Sequence, residues 1–295
     1  MMADTCLNDR TAVIALGASG RLGEVLYHFW PSDMPLLRHS RRRLPGYLTS
    51  GLIAPRGSLR RAAQQARAIV CLAGVTPQST PDHAASFSQN AQIAIAAIKI
   101  AHDAGVPRIF LISSAAVYGS SDTTHSEAEA PLPGSAYGRS KYEMEQQADD
   151  YAMKLGQPLT ILRLGNVVGC DALVGRWRPD CTLDTLPDGS SLRRSYIGPM
   201  SFARVLADLC RQPMLPKVIN LSMPGTIGMG DLLTVAGLSW RPRNAPDDCV
   251  PKVHLCTRRL ARHVALPKTL VTAQQMIAEW HLFQRLRHLP EQAYG

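Results

Sequence analysis

Residues 11–23 read TAVIALGASGRLG, and their reading decides the fold. The run from Ala12 to Leu16 is apolar without alternation, as in a strand buried on both faces. Gly17, Gly20 and Gly23 follow. Glycine permits a tight turn and lets backbone come close to a pyrophosphate. Beyond the turn the pattern predicts a helix from about Arg21 to Trp30, stopped by Pro31. A helix start offers free N–H groups and a partial positive charge, which suits an anionic dinucleotide. Ser19, Arg21 and Leu22 share the turn and join the glycines as predicted cofactor contacts.

Outward from this unit the chain alternates. MPLLRHS (34–40), AIVCLAG (68–74), RIFLISS (108–114) and PLTILRL (158–164) read as further buried strands. Helices are predicted at about 59–67, 81–104 and 137–155, with Gly105 and Gly156 placed to end the last two. Residues 41–57 read mostly as loop. Alternating strands and helices imply parallel βαβ units with right-handed crossovers. The prediction is α/β, a doubly wound parallel sheet of the Rossmann type with a smaller C-terminal substrate lobe. Residues 11–165 form the dinucleotide-binding domain and 166–295 the lobe, with about 199–222 returning to the first domain through a helix at 201–210 and the strand KVINLS. A final helix is expected at 272–287.

A NAD-binding protein commonly carries an acidic residue at the end of the second strand, on the ribose 2′-hydroxyl. Here the chain reads RHSRRR (38–43), with no carboxylate. Arg41, with Arg38 or Arg42 beside it, can meet a 2′-phosphate, with Ser40 as hydrogen-bond partner. This favours NADP over NAD.

Tyr137 and Lys141 stand four residues apart in SAYGRSK (135–141), so on a helix they share a face one turn apart. An ammonium beside a phenol lowers the phenol pKa toward working pH, giving a proton carrier for alcohol–ketone chemistry. As plain structure, Tyr118 and Tyr142 are packing residues, and Tyr142 lacks a lysine partner.

The order of these motifs resembles the extended short-chain dehydrogenase/reductase family, the NAD-dependent epimerase/dehydratase group. The resemblance covers nearly the whole chain, strongly from Ala12 to about Gly169. It implies that Gly17, Gly20 and Gly23 bind the cofactor diphosphate, and that Leu72, Ala73 and Gly74 line its adenosine ribose and diphosphate. It implies Ser114 in SSAAVYG as the catalytic serine, Tyr137 as acid/base, and Lys141 as the residue that binds the nicotinamide ribose and acidifies the tyrosine. SEAEAPLPGSAYG (126–138) is similar to the family's lead into that tyrosine. RLGNVVG (163–169) resembles RxxNVYG, which places Asn166, with Ser114, on the substrate. DGSSLRRSYI (188–197) resembles a segment with a diphosphate-binding arginine, so Arg193 or Arg194 is implied. Val168 replaces the family tyrosine, and Gly198, Pro199 and Met200 replace its histidine–valine–aspartate. The aspartate and glutamate of the sugar dehydratases' TDEVYG are Ala115 and Ala116, which favours epimerase or reductase chemistry.

The rest of the composition narrows the classes. The chain has 295 residues, 45% hydrophobic and 19% charged, with a formal charge of +9. Its arginines lie in short clusters without interleaved aromatics, so phosphate-bearing ligands explain the charge and nucleic acid is not expected. No apolar run reaches membrane-spanning length and the N-terminus does not read as a secretory signal. Seven scattered cysteines show no zinc spacing, so no metal is expected and a cytoplasmic setting with reduced thiols is. The expected activity is hydride transfer between NADP, or NAD, and a secondary alcohol or ketone of a nucleotide sugar, by an epimerase or reductase. Reduction of a small ketone or aldehyde and a non-catalytic NADP-sensing role stay open. The family implies a homodimer.

Overall fold

The structure, a computed structural model, describes residues 10–77, 87–119, 123–247 and 249–288. Its centre is a seven-stranded parallel sheet. In chain order the strands are β1 (Ala12–Leu16), β2 (Leu36–Ser40), β3 (Leu48–Thr49), β4 (Ala66–Cys71), β5 (Ile109–Ser114), β6 (Leu159–Leu164) and β7 (Val218–Leu221). They lie in the order β7-β6-β5-β4-β1-β2-β3. The chain therefore moves one way from β1 to β3 and the other way from β4 to β7. The reversal falls between β1 and β4, where a parallel sheet opens a crevice at its carboxyl edge.

Alternation along β1 shows why both faces need cover. Val13 and Ala15 join one core and Ile14 and Leu16 the other. Helices α1 (Arg21–Phe29), α5 (Pro199–Arg211) and α7 (Ala273–Arg287) cover the first face, supplying Leu26, Phe202, Leu206 and Phe283. Helices α2 (Gly57–Gln64), α3 (Gln89–Asp103) and α4 (Ala136–Leu155) cover the second, supplying Leu59, Ala94, Ile98 and Met144. The first residues of the helix expected at 81–104 lie outside the described residues.

Helix α4 has clear local causes. Ser135 caps it by accepting from Gly138 N at 3.0 Å, and Gly156 ends it at φ +64°. Two local expectations shift. Leu48–Thr49, in the stretch read as loop, adds to the sheet edge because Ser40 pairs with Thr49. The helix expected to run to Arg67 stops at Gln64, because Ala66 is drawn into register with Ala12.

The rest is built from short pairings. Arg193–Arg194 lies between Ile227–Gly228 and Lys252–Leu255, and the latter pairs with Thr124–His125. Thr182–Thr185 pairs with Arg241–Asn244, and Tyr196–Ile197 with Asn166–Val167. Helix α6 (Met229–Val235) packs on α7. Among the described residues no helix is long and apolar enough to cross a membrane, and no three metal-ligating side chains cluster.

Candidate active site

A cleft of about 1860 Å³ opens along the carboxyl ends of the central strands. Parallel strands bring their ends to one edge, so segments far apart in the chain meet there.

The turn after β1 forms one wall, with Gly17, Ser19, Gly20, Arg21, Leu22 and Gly23 all facing the cleft. Gly17 sits at φ +77°, and a Cβ there would meet Ala73 Cα at 2.7 Å. A Cβ on Gly23 would lie 2.0 Å from Ala18 O. Among the described residues no side chain caps the start of α1 at Gly20. The first-turn N–H groups are thus available to an anion, and the residues present fit a dinucleotide diphosphate.

At the end of β2, Ser40 is buried and its Oγ accepts from Arg42 N at 3.1 Å. Arg41 and Arg42 are exposed at the rim. Arg38 is not free for this role. Its guanidinium lies 4.0 Å from the Tyr27 ring centroid and 4.5 Å from that of Tyr47. His39, which sequence reasoning passed over, is buried between two loops. Its Nδ1 accepts from Gly17 N at 3.3 Å, and its Nε2 lies 3.0 Å from Ser50 O. Burial lowers its pKa, consistent with a neutral ring that accepts on one nitrogen and donates on the other.

Leu72, Ala73 and Gly74 follow β4 into the same cleft. Ser114 ends β5, and Tyr137 stands in the first turn of α4; both face the cleft. Ser114 acts on the Tyr137 phenol and favours its ionised form. Ser114 Oγ also accepts from Ala116 N at 3.2 Å. Ala115 and Ala116 line the wall beside them.

Lys141 is placed differently from the expectation. It lies behind the wall, 4% exposed, with Nζ donating to Ile112 O at 2.9 Å. A Cβ on Gly74 would stand 3.2 Å from that Nζ, so the lysine is directly beneath the cleft floor. Burial pulls its pKa down to about 8, against the raising influence of Cys71 and Glu145. Burial also raises the Tyr137 phenol, against the lowering influence of Ser114. The acidified phenol expected from the sequence is therefore not found in this structure. The physical reason is that the ammonium turns to a carbonyl while the phenol is desolvated.

Asn166, after β6, and Arg194 face the cleft, but Arg193 does not. Its NH2 donates to Thr226 O at 2.7 Å, and it lines a separate cavity of about 410 Å³ with Asp231. Neighbours on a strand point to opposite faces, so the pair cannot serve one site. Sequence reasoning also missed Asp171, one of only two carboxylates on the cleft wall among the described residues; Glu24 is the other. Against them stand Arg21, Arg41, Arg42, Arg176 and Arg194, so the cleft attracts anions.

Comparison with known proteins places this geometry. The sequence profile described as the NAD dependent epimerase/dehydratase family matches residues 13–177. A UDP-glucose 4-epimerase of Azospirillum brasilense is 27% identical over 244 residues, 68% of this chain and 70% of its own. Among solved structures, a NAD-dependent NDP-hexosamine 5,6-dehydratase of tunicamycin biosynthesis superposes with a TM-score of 0.76 at 19% identity, covering 95% of this chain and 99% of its own. The UDP-glucuronic acid 4-epimerase of Bacillus cereus, in complex with UDP-glucuronic acid and NAD, gives 0.75 at 16% identity, covering 93% and 99%. At these identities the two structures speak to the fold.

Proposed function

Because the chain belongs to the NAD dependent epimerase/dehydratase family, we propose that it epimerises a nucleotide sugar at a secondary carbinol carbon, using a nicotinamide dinucleotide. The observation that carries this is that Ser114 and Tyr137 share one cleft with the glycine turn and with Asn166. When bound, the cofactor supplies a hydride acceptor and donor. Tyr137 carries the proton: its phenolate, reached by loss of the phenol proton to solvent, takes up the proton of the reacting hydroxyl and returns it when the hydride comes back. Ser114 hydrogen-bonds the same oxygen and fixes its position. Lys141 supplies positive charge beneath the floor, and Asn166 and Arg194 hold the nucleotide-sugar part. Elimination would need another proton carrier beside this pair, and Ala115 and Ala116 supply none. This supports epimerisation over dehydration.

The direct test is incubation of the protein, with its cofactor, with UDP-glucose, UDP-glucuronate and UDP-N-acetylglucosamine, followed by NMR of the sugar. An epimer at one carbon, without net reduced cofactor, is expected. A dehydrated product, or reduced cofactor in proportion to turnover, would replace epimerisation with another reaction.

We take NAD as the cofactor. The NADP expected from RHSRRR finds no support in the relatives, whose names record NAD. Arg38 is committed to two aromatic rings, and Arg41 and Arg42 remain exposed. Exposed charges of this kind contribute about 0.2–1 kcal/mol. NADH is expected to bind at least as tightly as NADPH, with Arg41→Ala weakening both about threefold. Fluorescence titration checks this. A preference for NADPH above about tenfold that Arg41→Ala removes would return the assignment to NADP.

Lys141 gives a pH dependence of definite sign. Its charge is fully present well below about pH 8 and is lost as pH rises through that value. The Tyr137 phenol is held above its ordinary 10.0, so the Lys141 charge is what favours its working phenolate. kcat/KM is expected to fall above about pH 8. Stability moves the other way. The unfolded lysine keeps its proton up to about 10.5, so the cost of the buried charge fades as pH rises from 8 to 10.5. A flat kcat/KM profile from pH 7 to about 9.5 would remove Lys141's charge from the chemistry.

A further inference from the structure

We propose that His39 is a positioning residue for the dinucleotide: its neutral ring, accepting from Gly17 N and donating to Ser50 O, holds the glycine turn in the shape that receives the diphosphate. This rests on the reading of that turn as the cofactor wall.

His39 stands near the end of β2 and is 1% exposed. The glycine turn is tied to it twice. Ala18 N donates to the His39 carbonyl at 2.9 Å, and Gly17 N to the ring Nδ1 at 3.3 Å. Two successive N–H groups of the turn thus point back to β2, which leaves those at the start of α1 to an anion. Gly17 has no slack on its other side, because a Cβ there would meet Ala73 Cα at 2.7 Å. It is held between Ala73 and the imidazole.

The opposite ring nitrogen, Nε2, lies 3.0 Å from Ser50 O. Ser50 is itself fastened. Its N donates to Ser40 O at 3.2 Å, and its Oγ donates to Gly51 O and accepts from Arg56 N, each at 2.8 Å. Gly51, Leu52, Ile53 and Ala54 continue from it along the cleft. A rigid ring bonded at both edges therefore sets the spacing between the glycine turn and this second wall.

A carbonyl only accepts, so Ser50 O assigns the proton to Nε2, and Nδ1 is left as the acceptor that Gly17 N requires. A proton on Nδ1 as well would set N–H against N–H and leave a buried amide unpaired. Burial opposes that by lowering the ring pKa from its ordinary 6.5, with the Ser50 carbonyl acting the other way. The charged side chains on these walls are committed elsewhere or stand in solvent. Arg21 bonds Asp171 O, Glu24 bonds Arg287, Arg38 lies on two tyrosine rings, and Arg41, Arg42 and Arg56 are exposed. Cofactor affinity is therefore expected to fall with pH below 6.5, as the ring takes its second proton.

The test is fluorescence titration of NADH against the wild type, His39→Asn, His39→Gln and His39→Leu, with a melting curve for each. Asparagine places an amide oxygen where Nδ1 stood and keeps the acceptor for Gly17. Glutamine reaches the place of Nε2 and keeps only the bond to Ser50, and leucine keeps neither. His39→Asn is expected to bind NADH within about threefold of the wild type, and His39→Gln and His39→Leu about tenfold more weakly than the wild type. A merely structural role would make affinity follow melting temperature and leave His39→Asn and His39→Gln alike. Between about pH 7 and pH 5 the wild type should lose affinity about threefold or more, while His39→Asn, whose amide does not titrate, stays flat. Equal affinities in His39→Asn and His39→Gln, or the same pH response in the wild type and His39→Asn, would overturn the positioning role and leave the proposed function standing. The wild-type pH response needs no variant, so a flat one overturns the role even where a substituted protein does not fold. A wild type that binds no NADH would instead strike the reading of the turn, and the inference with it.

Discussion

Tyr137→Phe is expected to lower kcat about 10³-fold while NADH affinity stays within about twofold. In barrier terms the loss is about 4 kcal/mol. Only the hydroxyl is removed. The ring keeps its contact with Phe87, whose centroid lies 5.8 Å away, and Ser114 Oγ keeps the Ala116 N–H. The phenol is held neutral by burial, so its loss removes no charge from the fold. Stability should change by no more than about 1.5 kcal/mol, the ordinary worth of one hydrogen bond. Steady-state rates, a cofactor titration and a melting curve together check the three statements. A variant that turns over within fivefold of the wild type would move the proton step to another residue. A wild type that binds cofactor and turns over no sugar would favour a sensing role on this fold.

This outcome bears on how the site works, because Tyr137 and Lys141 are less directly coupled than their spacing suggests. The four-residue interval places both side chains on one side of α4, and that much is local geometry. Whether the ammonium meets the phenol depends on what else it can reach. Ile112 O, on β5, takes it. The interval was legible in the sequence, but its electrostatic consequence belongs to the tertiary structure.

The same division runs through the molecule. The β1–glycine–α1 unit and the Ser135 cap and Gly156 end of α4 are local, so they could be read directly. The major strands announce themselves as unbroken apolar runs because both sheet faces are covered. The short strands outside the central sheet give no such signal. They are two to four residues long and pair across wide intervals, as Thr124 does with His254 and Arg193 with Lys252. No period can be read from so short a run. Arg38 shows the limit for side chains. Its neighbours in RHSRRR suggest a phosphate ligand, while Tyr27 and Tyr47 come from α1 and from the loop before β3. Arg193 and Arg194 are an exception in the other direction. Had their strand been recognised, alternation alone would have sent one of them away from the cleft.

Glu145→Ala is expected to destabilise the fold by about 3–5 kcal/mol, because it strands a buried guanidinium. Glu145 and Arg163 each expose 5% of the side chain. Arg163 NH2 donates to Glu145 Oε2 at 2.7 Å and Nε to both carboxylate oxygens at 3.1 Å. Ser113 Oγ donates to Glu145 Oε1 at 2.5 Å, Arg163 NH1 to Tyr118 OH at 3.0 Å, and Tyr118 OH to Asn220 Oδ1 at 2.7 Å. The network therefore ties α4 to β5, β6 and β7 directly behind Ser114 and Lys141. Removing one charge leaves its partner without solvent or counter-charge, whereas replacing both together can be nearly neutral. Glu145→Leu with Arg163→Met should recover most of the lost stability. Glu145→Ala should lower the melting temperature by about 10 °C. Urea unfolding of the three proteins decides this, and a loss below about 1 kcal/mol in Glu145→Ala would show that water reaches the guanidinium. The carboxylate also has a functional reach, since it is one of the groups holding the Lys141 pKa up. Glu145→Gln keeps the shape and removes the charge, so the descending limb of kcat/KM should move to lower pH. A limb that stays in place while stability falls would confine Glu145 to the scaffold.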